Sequence, residues 1–560
     1  MKNYDVVILG GGISGLTLSI QLKRKNPDMS ILVLEKRKEM APDSAFKIGE
    51  SISELASHYF REVLGLKDYL VEHQLPKYGQ RFFFKSRTKD VIESRIELGP
   101  RKWLYSPSHQ LDRGTLENYL VGLVQVEYGT EFLLDADVKD VEFDKDCSVV
   151  SYTHQGVPMQ AGARWVVDAT SRHSFLKRKL KFAKPLDHPI NSVWWRLKGV
   201  VDVGSWSESE AWKNYPEVKL RHLSTNHFLD TGYWIWIIPL GTKNTSIGIV
   251  ADPAFHPFEK FDTYAKAMEF LKENEPLLYN KLEPMSGNKL DFKISKHFAH
   301  HSSRLYDGSM RWGVTGEAGV FLDPFYSPGC DLISINNMWL GDLILRELSG
   351  ENVSFRAEIY EQTHLGLFDA WVPIYHNKYQ LMGSSQIMTA KILWDWAVYW
   401  SIPTLLYTNN ALTDLSVLKL LFSNPKGLGS KFKKIHEQMQ NLFVAWGKYD
   451  NNQIFERKFI DPLDLSYLLD FQTNVGTQYG DKLVERATHN MEILEKVAAE
   501  IFRRVSHFAK GTSLDMAVNP YTMDLDNPVP THNEDLNIPR DEQIVRDIDN
   551  IWFYGKEQTA

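Results

Sequence analysis

The chain reads as an α/β protein that opens on a nucleotide-binding strand–helix–strand unit, carries an inserted antiparallel sheet and ends in a mostly helical region. Three observations predict this. The wholly apolar run Val6–Leu9 leads into Gly10-Gly11-Gly12-Ile13-Ser14-Gly15 and a helix-compatible segment. Alternation from Ser192 to Leu197 and from Gly232 to Leu240 suits strands of a second sheet. Beyond about residue 340, helical patterns dominate and no second glycine loop appears.

Taken in order, Val6–Leu9 has the composition of a strand buried on both faces. Pro27 ends the helix that follows, because proline lacks an N–H and clashes with the preceding turn. Ser30–Leu34 is the second strand, closing on Glu35. A helix is expected from Arg113 to about Gln125, strands near 131–143 and 148–153, and a buried strand over Arg164–Asp168. The stretch Asn519–Pro539, rich in Asn, Pro and Asp, reads as irregular.

With 560 residues, two or three domains are expected. The boundaries drawn are a discontinuous nucleotide-binding domain over 1–185 and 290–345, an inserted sheet over 186–289 and a helical region over 346–560. A net charge of −7 argues against a nucleic-acid partner. Two cysteines, Cys147 and Cys330, exclude a disulfide framework and a four-cysteine metal site, and no metal ligand set is expected. No leader pattern and no long uncharged apolar stretch is seen, so no transmembrane segment and a cytoplasmic enzyme are expected.

Gly10, Gly12 and Gly15 satisfy G-x-G-x-x-G between a strand and a helix. The first allows the tight turn, the second a close approach of pyrophosphate, and the third helix–strand packing. Phosphates at this helix start meet free N–H groups and a favourable dipole. Glu35, 20 residues beyond Gly15, can accept hydrogen bonds from a ribose diol. Candidate contacts are Gly10, Gly12, Ile13, Ser14, Gly15, Glu35 and Lys36. The loop alone does not separate NAD from FAD.

Further motifs carry a resemblance. Trp234, Trp236, Ile238 and Pro239 form W-x-W-x-I-P, and two tryptophans two apart on a strand share a face, although core packing alone is a competing reading. Phe46-Lys47-Ile48-Gly49-Glu50-Ser51 is followed, 27 residues after Glu50, by Lys77 within Leu75–Phe82. Gln110–Leu116 contains Arg113, Val166–Thr170 contains Asp168, and Gly313–Gly319 leads to Asp323-Pro324-Phe325-Tyr326-Ser327-Pro328-Gly329. Over most of residues 1–345 the chain resembles the flavin-dependent halogenases, closest to their phenol- and pyrrole-type branch.

The resemblance implies a Rossmann-like FAD-binding domain of the flavin monooxygenase type. It implies that hypohalous acid, made from a flavin hydroperoxide and chloride or bromide, reaches an electron-rich aromatic substrate, phenolic or resorcinol-like, through a lysine. O2 is consumed, and FADH2 comes from a separate flavin reductase. Lys77 is the implied catalytic lysine, with Glu50 helping to place it and Lys47 as the competing lysine. Ser51, Arg113, Asp168, Asp323 and Gly329 join the cofactor contacts; Trp234, Trp236, Pro239 and Tyr326 wall a substrate tunnel; Ser327 and Gly329 bind halide.

Two departures are visible. Tyr326 stands where tryptophan halogenases carry a glutamate, so free tryptophan is not the expected substrate. Pro328 occupies a position whose backbone N–H the family gives to halide, and proline has none, leaving Gly329, Cys330 or a side chain. The alternative is an FAD monooxygenase or a prenyl-reductase-like oxidoreductase without halide use. The substrate is expected to be a small molecule, free or bound to a carrier protein, and the protein a monomer or homodimer. The crowded Trp394, Trp396, Tyr399 and Trp400 read either as a core helix or as the wall of an aromatic substrate site.

Overall fold

The computed structural model describes all residues except 43–47, 218, 423, 425–426, 452, 456–457, 532–536 and 555–560. Strand Lys2–Leu9 lies at the centre of a sheet whose core is parallel, where Val6 pairs with both Ile31 and Trp165. The order across this sheet is Tyr306–Asp307, Trp312–Val314, Val157–Asp168, Lys2–Leu9, Ile31–Leu34 and Glu131–Leu133. Its central residues are fully buried, which is why Val6–Leu9 shows no polar alternation.

Helix Ile13–Lys25 starts directly on the glycine loop and ends on Lys23, Arg24 and Lys25, cations suited to a helix C-terminus. Gly15 is required by packing, since a Cβ there would stand 2.3 Å from the Gly10 carbonyl oxygen.

The second sheet runs Lys293–Ser295, Asn191–Lys198, Asn244–Ala251, Tyr233–Pro239, Thr225–Asp230, Gln80–Phe83, Glu97–Leu98 and Phe459–Ile460. Period two divides its side chains. Trp194, Trp234, Trp236 and Ile238 face the core shared with the parallel sheet, while Trp195, Ile235, Ile237 and Ile247 belong to a core beneath helices Tyr264–Asn274 and Pro276–Leu282.

This sheet also draws strands from outside residues 186–289. Gln80–Phe83 pairs in parallel with Thr225–Phe228, and Phe459–Ile460 closes the far edge. Strands of four and two residues carry too little periodicity to read from sequence. The pairing matters because it carries Lys77, three residues before Gln80, to the edge of the tryptophan-bearing strands.

The C-terminal helices, among them Gly329–Leu348, Ser354–Tyr375, Ser385–Tyr399 and Leu483–Lys510, share one contiguous core with the parallel sheet. Gln21 and Ser14 of the first helix are tied to Asn337 by hydrogen bonds of 2.9 and 3.1 Å. Among the described residues, no helix is long and apolar enough to cross a membrane.

Candidate active site

Two cavities flank the start of helix Gly329–Leu348. The larger, about 510 Å³, runs from Gly10–Ser14 and Glu35–Arg37, past Arg113 and Glu317, to Trp194, Trp234, Trp236 and Gly329. The smaller, about 70 Å³, is lined by Lys77, Glu54, Asp331, Tyr326, Trp396 and Trp400, with Pro328 in its wall. Consecutive residues, Pro328 and Gly329, thus face different cavities.

The glycine end of the larger cavity suits an anionic dinucleotide. Among the described residues, the helix that opens at Ile13 has no side-chain cap, and nothing lies within 4 Å of where a Cβ on Gly12 would stand. First-turn N–H groups therefore face open space. Glu35 accepts hydrogen bonds from the Gly11 N–H (2.8 Å) and Arg37 Nε (3.0 Å) and lines the cavity. Arg113, at the start of helix Arg113–Gly122, is braced by Glu117 (2.6 Å) and donates to the Ile48 carbonyl (2.6 Å).

At the other end, Trp234 and Trp236 stand side by side, ring centroids 5.6 Å apart. Trp234 Nε1 donates to the Tyr379 hydroxyl (3.0 Å), which donates in turn to Asp323 (2.6 Å). Trp236 Nε1 donates to Ser246 Oγ (3.2 Å). The partition extends beyond this pair: Trp234 meets Phe325 (5.2 Å), Phe325 meets Phe82 (5.6 Å), and Phe82 meets Trp396 (5.9 Å) of the smaller cavity. His227 stacks on Phe82 at 4.5 Å, and burial pushes its pKa down to about 3, so it is a neutral part of this aromatic layer.

Trp236 depends on Gly248, its cross-strand partner, where a Cβ would lie 2.2 Å from the indole. Gly248→Val is therefore expected to displace Trp236 and to cost about 1–3 kcal/mol in a urea unfolding measurement. Wild-type stability in that variant would show that the pair does not fix the ring.

Lys77 is 5% exposed, and its Nζ donates to the Ile52 carbonyl oxygen (3.2 Å). Burial lowers its pKa to about 8, opposed by the Glu54 and Asp331 carboxylates. Asp331, pushed up to about 7 by burial, accepts from Ser53 Oγ (2.7 Å), the Tyr399 hydroxyl (3.0 Å) and the Ala56 N–H (2.9 Å). Glu54 accepts from Trp400 Nε1 at 3.3 Å. The Tyr326 hydroxyl donates to Asp395 (2.9 Å), which Lys391 and Gln440 also hold.

Sequence-predicted residues divide between these cavities. Gly10, Gly12, Ile13, Ser14, Glu35, Lys36, Ser51, Arg113, Trp234, Trp236, Ser327 and Gly329 line the larger, while Lys77 and Tyr326 line the smaller. Glu50 does not join Lys77. It lines the larger cavity beside Arg196 (3.7 Å), and burial raises its pKa to about 7. Asp168 and Asp323 line neither cavity. Asp168 accepts from the Thr170 and Leu176 N–H groups, and Asp323 ties His188 to Tyr379. Pro239 ends its strand opposite Thr245, also away from both. Lys47 lies outside the described residues.

Of the crowded aromatic helix, Trp396, Tyr399 and Trp400 face the Lys77 cavity, whereas Trp394 is a core residue bonded to His436. The residues missed outright are Glu54 and Asp331, each lying just beyond a motif, Phe46–Ser51 and Asp323–Gly329. Among the described residues no group of three or more His, Cys, Asp or Glu is placed to hold a metal ion.

A family model described as an FAD binding domain matches residues 3–239. The chain is 28% identical over 440 residues to the flavin-dependent halogenase chlA of Dictyostelium discoideum, spanning 72% of this chain and 70% of that protein. It is 26% identical over 364 residues to the 1H-pyrrole-2-carbonyl-(peptidyl-carrier protein) brominase of Pseudoalteromonas luteoviolacea, spanning 63% of this chain and 79% of that protein. Among solved structures, the flavin-dependent brominase Bmp2 superposes with a TM-score of 0.56 at 20% identity, covering 81% of this chain and all of that one. Halogenase PltM, in complex with phloroglucinol and FAD, gives 0.58 at 15% identity, covering 87% and 96%. These structural likenesses establish the fold.

Proposed function

We propose that this chain, similar to the flavin-dependent halogenases over most of its length, is itself one and halogenates an electron-rich, phenolic or resorcinol-like aromatic held in the Lys77 cavity. The observation that carries this reading is a buried lysine in an aromatic-walled cavity, parted from the FAD cleft by the layer from Trp234 to Trp396.

Gly10–Ser14, Glu35 and Arg113 would hold FAD. Bound as FADH2 from a separate reductase, it would supply, with O2 and chloride or bromide, hypohalous acid. The first-turn N–H groups of Gly329 and Cys330 are the halide donors left by Pro328, at the helix start that both cavities border. The aromatic partition keeps substrate off the flavin side. The Lys77 ammonium then donates a hydrogen bond to the oxidant and holds it against the ring.

The ammonium form dominates below a pKa of about 8. Halogenation turnover is therefore expected to fall as pH rises through about 8, read from initial rates of product formation. A turnover that climbs through the same range would assign the work to the free amine.

The missing N–H of Pro328 favours a second reading, an FAD monooxygenase that uses no halide. One assay separates the two: protein, FAD, a flavin reductase, NADH, O2 and bromide with a panel of phenols, products read by mass. A brominated phenol supports the first reading. Hydroxylated product, with no bromination of any acceptor, overturns it.

A further inference from the structure

Resting on the halogenase reading, we propose that Glu54 is the proton acceptor for the substrate, taking the hydrogen bond of the ring hydroxyl across the cavity from Lys77. Among the described residues three carboxylates line this cavity, and they differ in what already occupies them. Asp331 has both oxygens engaged, by Ser53, Tyr399 and the Ala56 N–H. Asp395 likewise receives Tyr326, Lys391 and Gln440. Among the described residues, Glu54 receives, beyond its own backbone N–H, only the Trp400 indole, on one oxygen. A carboxylate has about four lone-pair positions, so Glu54 is the acid with the most room for another donor.

Its placement fits the substrate as well. Glu54 opens helix Glu54–His58 and is 7% exposed, with Lys77, Asp331 and Tyr399 as the titratable groups around it. Trp371, Ile374, Val398 and Leu104 supply apolar wall for a ring, but a buried phenol hydroxyl needs an acceptor to avoid a desolvation penalty. Burial raises the pKa of Glu54, which makes it a stronger base than an exposed glutamate.

The step balances. The hydroxyl proton passes to Glu54 as the oxygen electron pair is pushed into the ring, whose ortho or para carbon forms a bond to halogen. The O–X bond of hypohalous acid breaks, and the departing hydroxide takes a proton from the Lys77 ammonium and leaves as water. The ring C–H proton then goes to the Lys77 amine, and Glu54 returns its proton to the oxygen. One ring hydrogen has been exchanged for halogen and one water formed.

The test compares resorcinol with its dimethyl ether, in wild-type enzyme and in Glu54→Gln, under the coupled bromide assay. Wild-type kcat/KM should favour resorcinol by about 100-fold or more, and Glu54→Gln should lose about 100-fold on resorcinol with little change on the ether. The acid limb of the wild-type pH profile should vanish in the variant, and Glu54→Asp should recover part of the rate. Should Glu54→Gln fail to fold, judged by FAD titration, the wild-type preference and Glu54→Asp still decide. Equal use of phenol and ether by wild-type enzyme, or wild-type kcat/KM in Glu54→Gln, would overturn this inference and leave the halogenase reading standing. No brominated product from wild-type enzyme would overturn both.

Discussion

Halogenated product should fall on the order of 1,000-fold when Lys77 is replaced by methionine, the scale of losing one well-placed hydrogen-bond donor in a water-poor site. Methionine keeps the length and much of the volume of the stem, so the cavity wall stays filled. What disappears is the cation that faces Glu54 and Asp331. Without it both acids should take up protons more readily, since burial already raises both. FAD binding should survive, because Lys77 lines the smaller cavity and the glycine loop lines the larger. The measurement pairs product quantification with an FAD fluorescence titration. Wild-type halogenation by Lys77→Met would remove the lysine from the chemistry, whereas loss of FAD affinity would mean that the two cavities are not independent.

Features encoded locally are legible in the amino-acid order itself. Gly10–Gly15 and Glu35 lie within one strand–helix–strand unit, where backbone geometry alone ties residue type to position. Trp234 and Trp236 share a face because a strand has period two. The acids mislead. Asp168 closes a buried strand and Asp323 follows a glycine-rich turn, places where a carboxylate reads as a ligand, yet each caps backbone N–H groups or anchors a neighbour. Glu50 and Glu54 lie four residues apart, and nothing in their neighbours tells which one turns towards Lys77. That choice is set by Trp400 and Asp331, hundreds of residues away, and by a four-residue strand too short to announce itself. The aromatic helix poses a similar problem, because Trp394 and Trp396 differ in role only through the face each presents.

The glycine loop offers a sharper test than loss of function alone, because its glycines serve different ends. Gly10 has φ +109°, a region closed to residues with a Cβ, and a Cβ there would lie 2.4 Å from the Ala169 carbonyl oxygen. Neither side can retreat: Gly10 N–H is bonded to Leu34 and Ala169 N–H to Leu9, both at 2.8 Å across the central strands. Strain and overlap together put the cost of Gly10→Ala at about 4 kcal/mol, a large share of a domain's stability, so both the apo fold and FAD binding should fail. Gly12 is the opposite case. Its φ of −86° is open to alanine and its Cβ would meet nothing, so Gly12→Ala should leave apo stability within about 0.5 kcal/mol. The new methyl would nevertheless project into the space proposed for pyrophosphate, and FAD affinity should drop on the order of 100-fold by the same overpacking cost. Denaturant unfolding of the apo proteins, set beside FAD titrations, reads both quantities. Full FAD affinity in Gly12→Ala would place the cofactor's phosphates elsewhere, whatever the stability of the Gly10 variant.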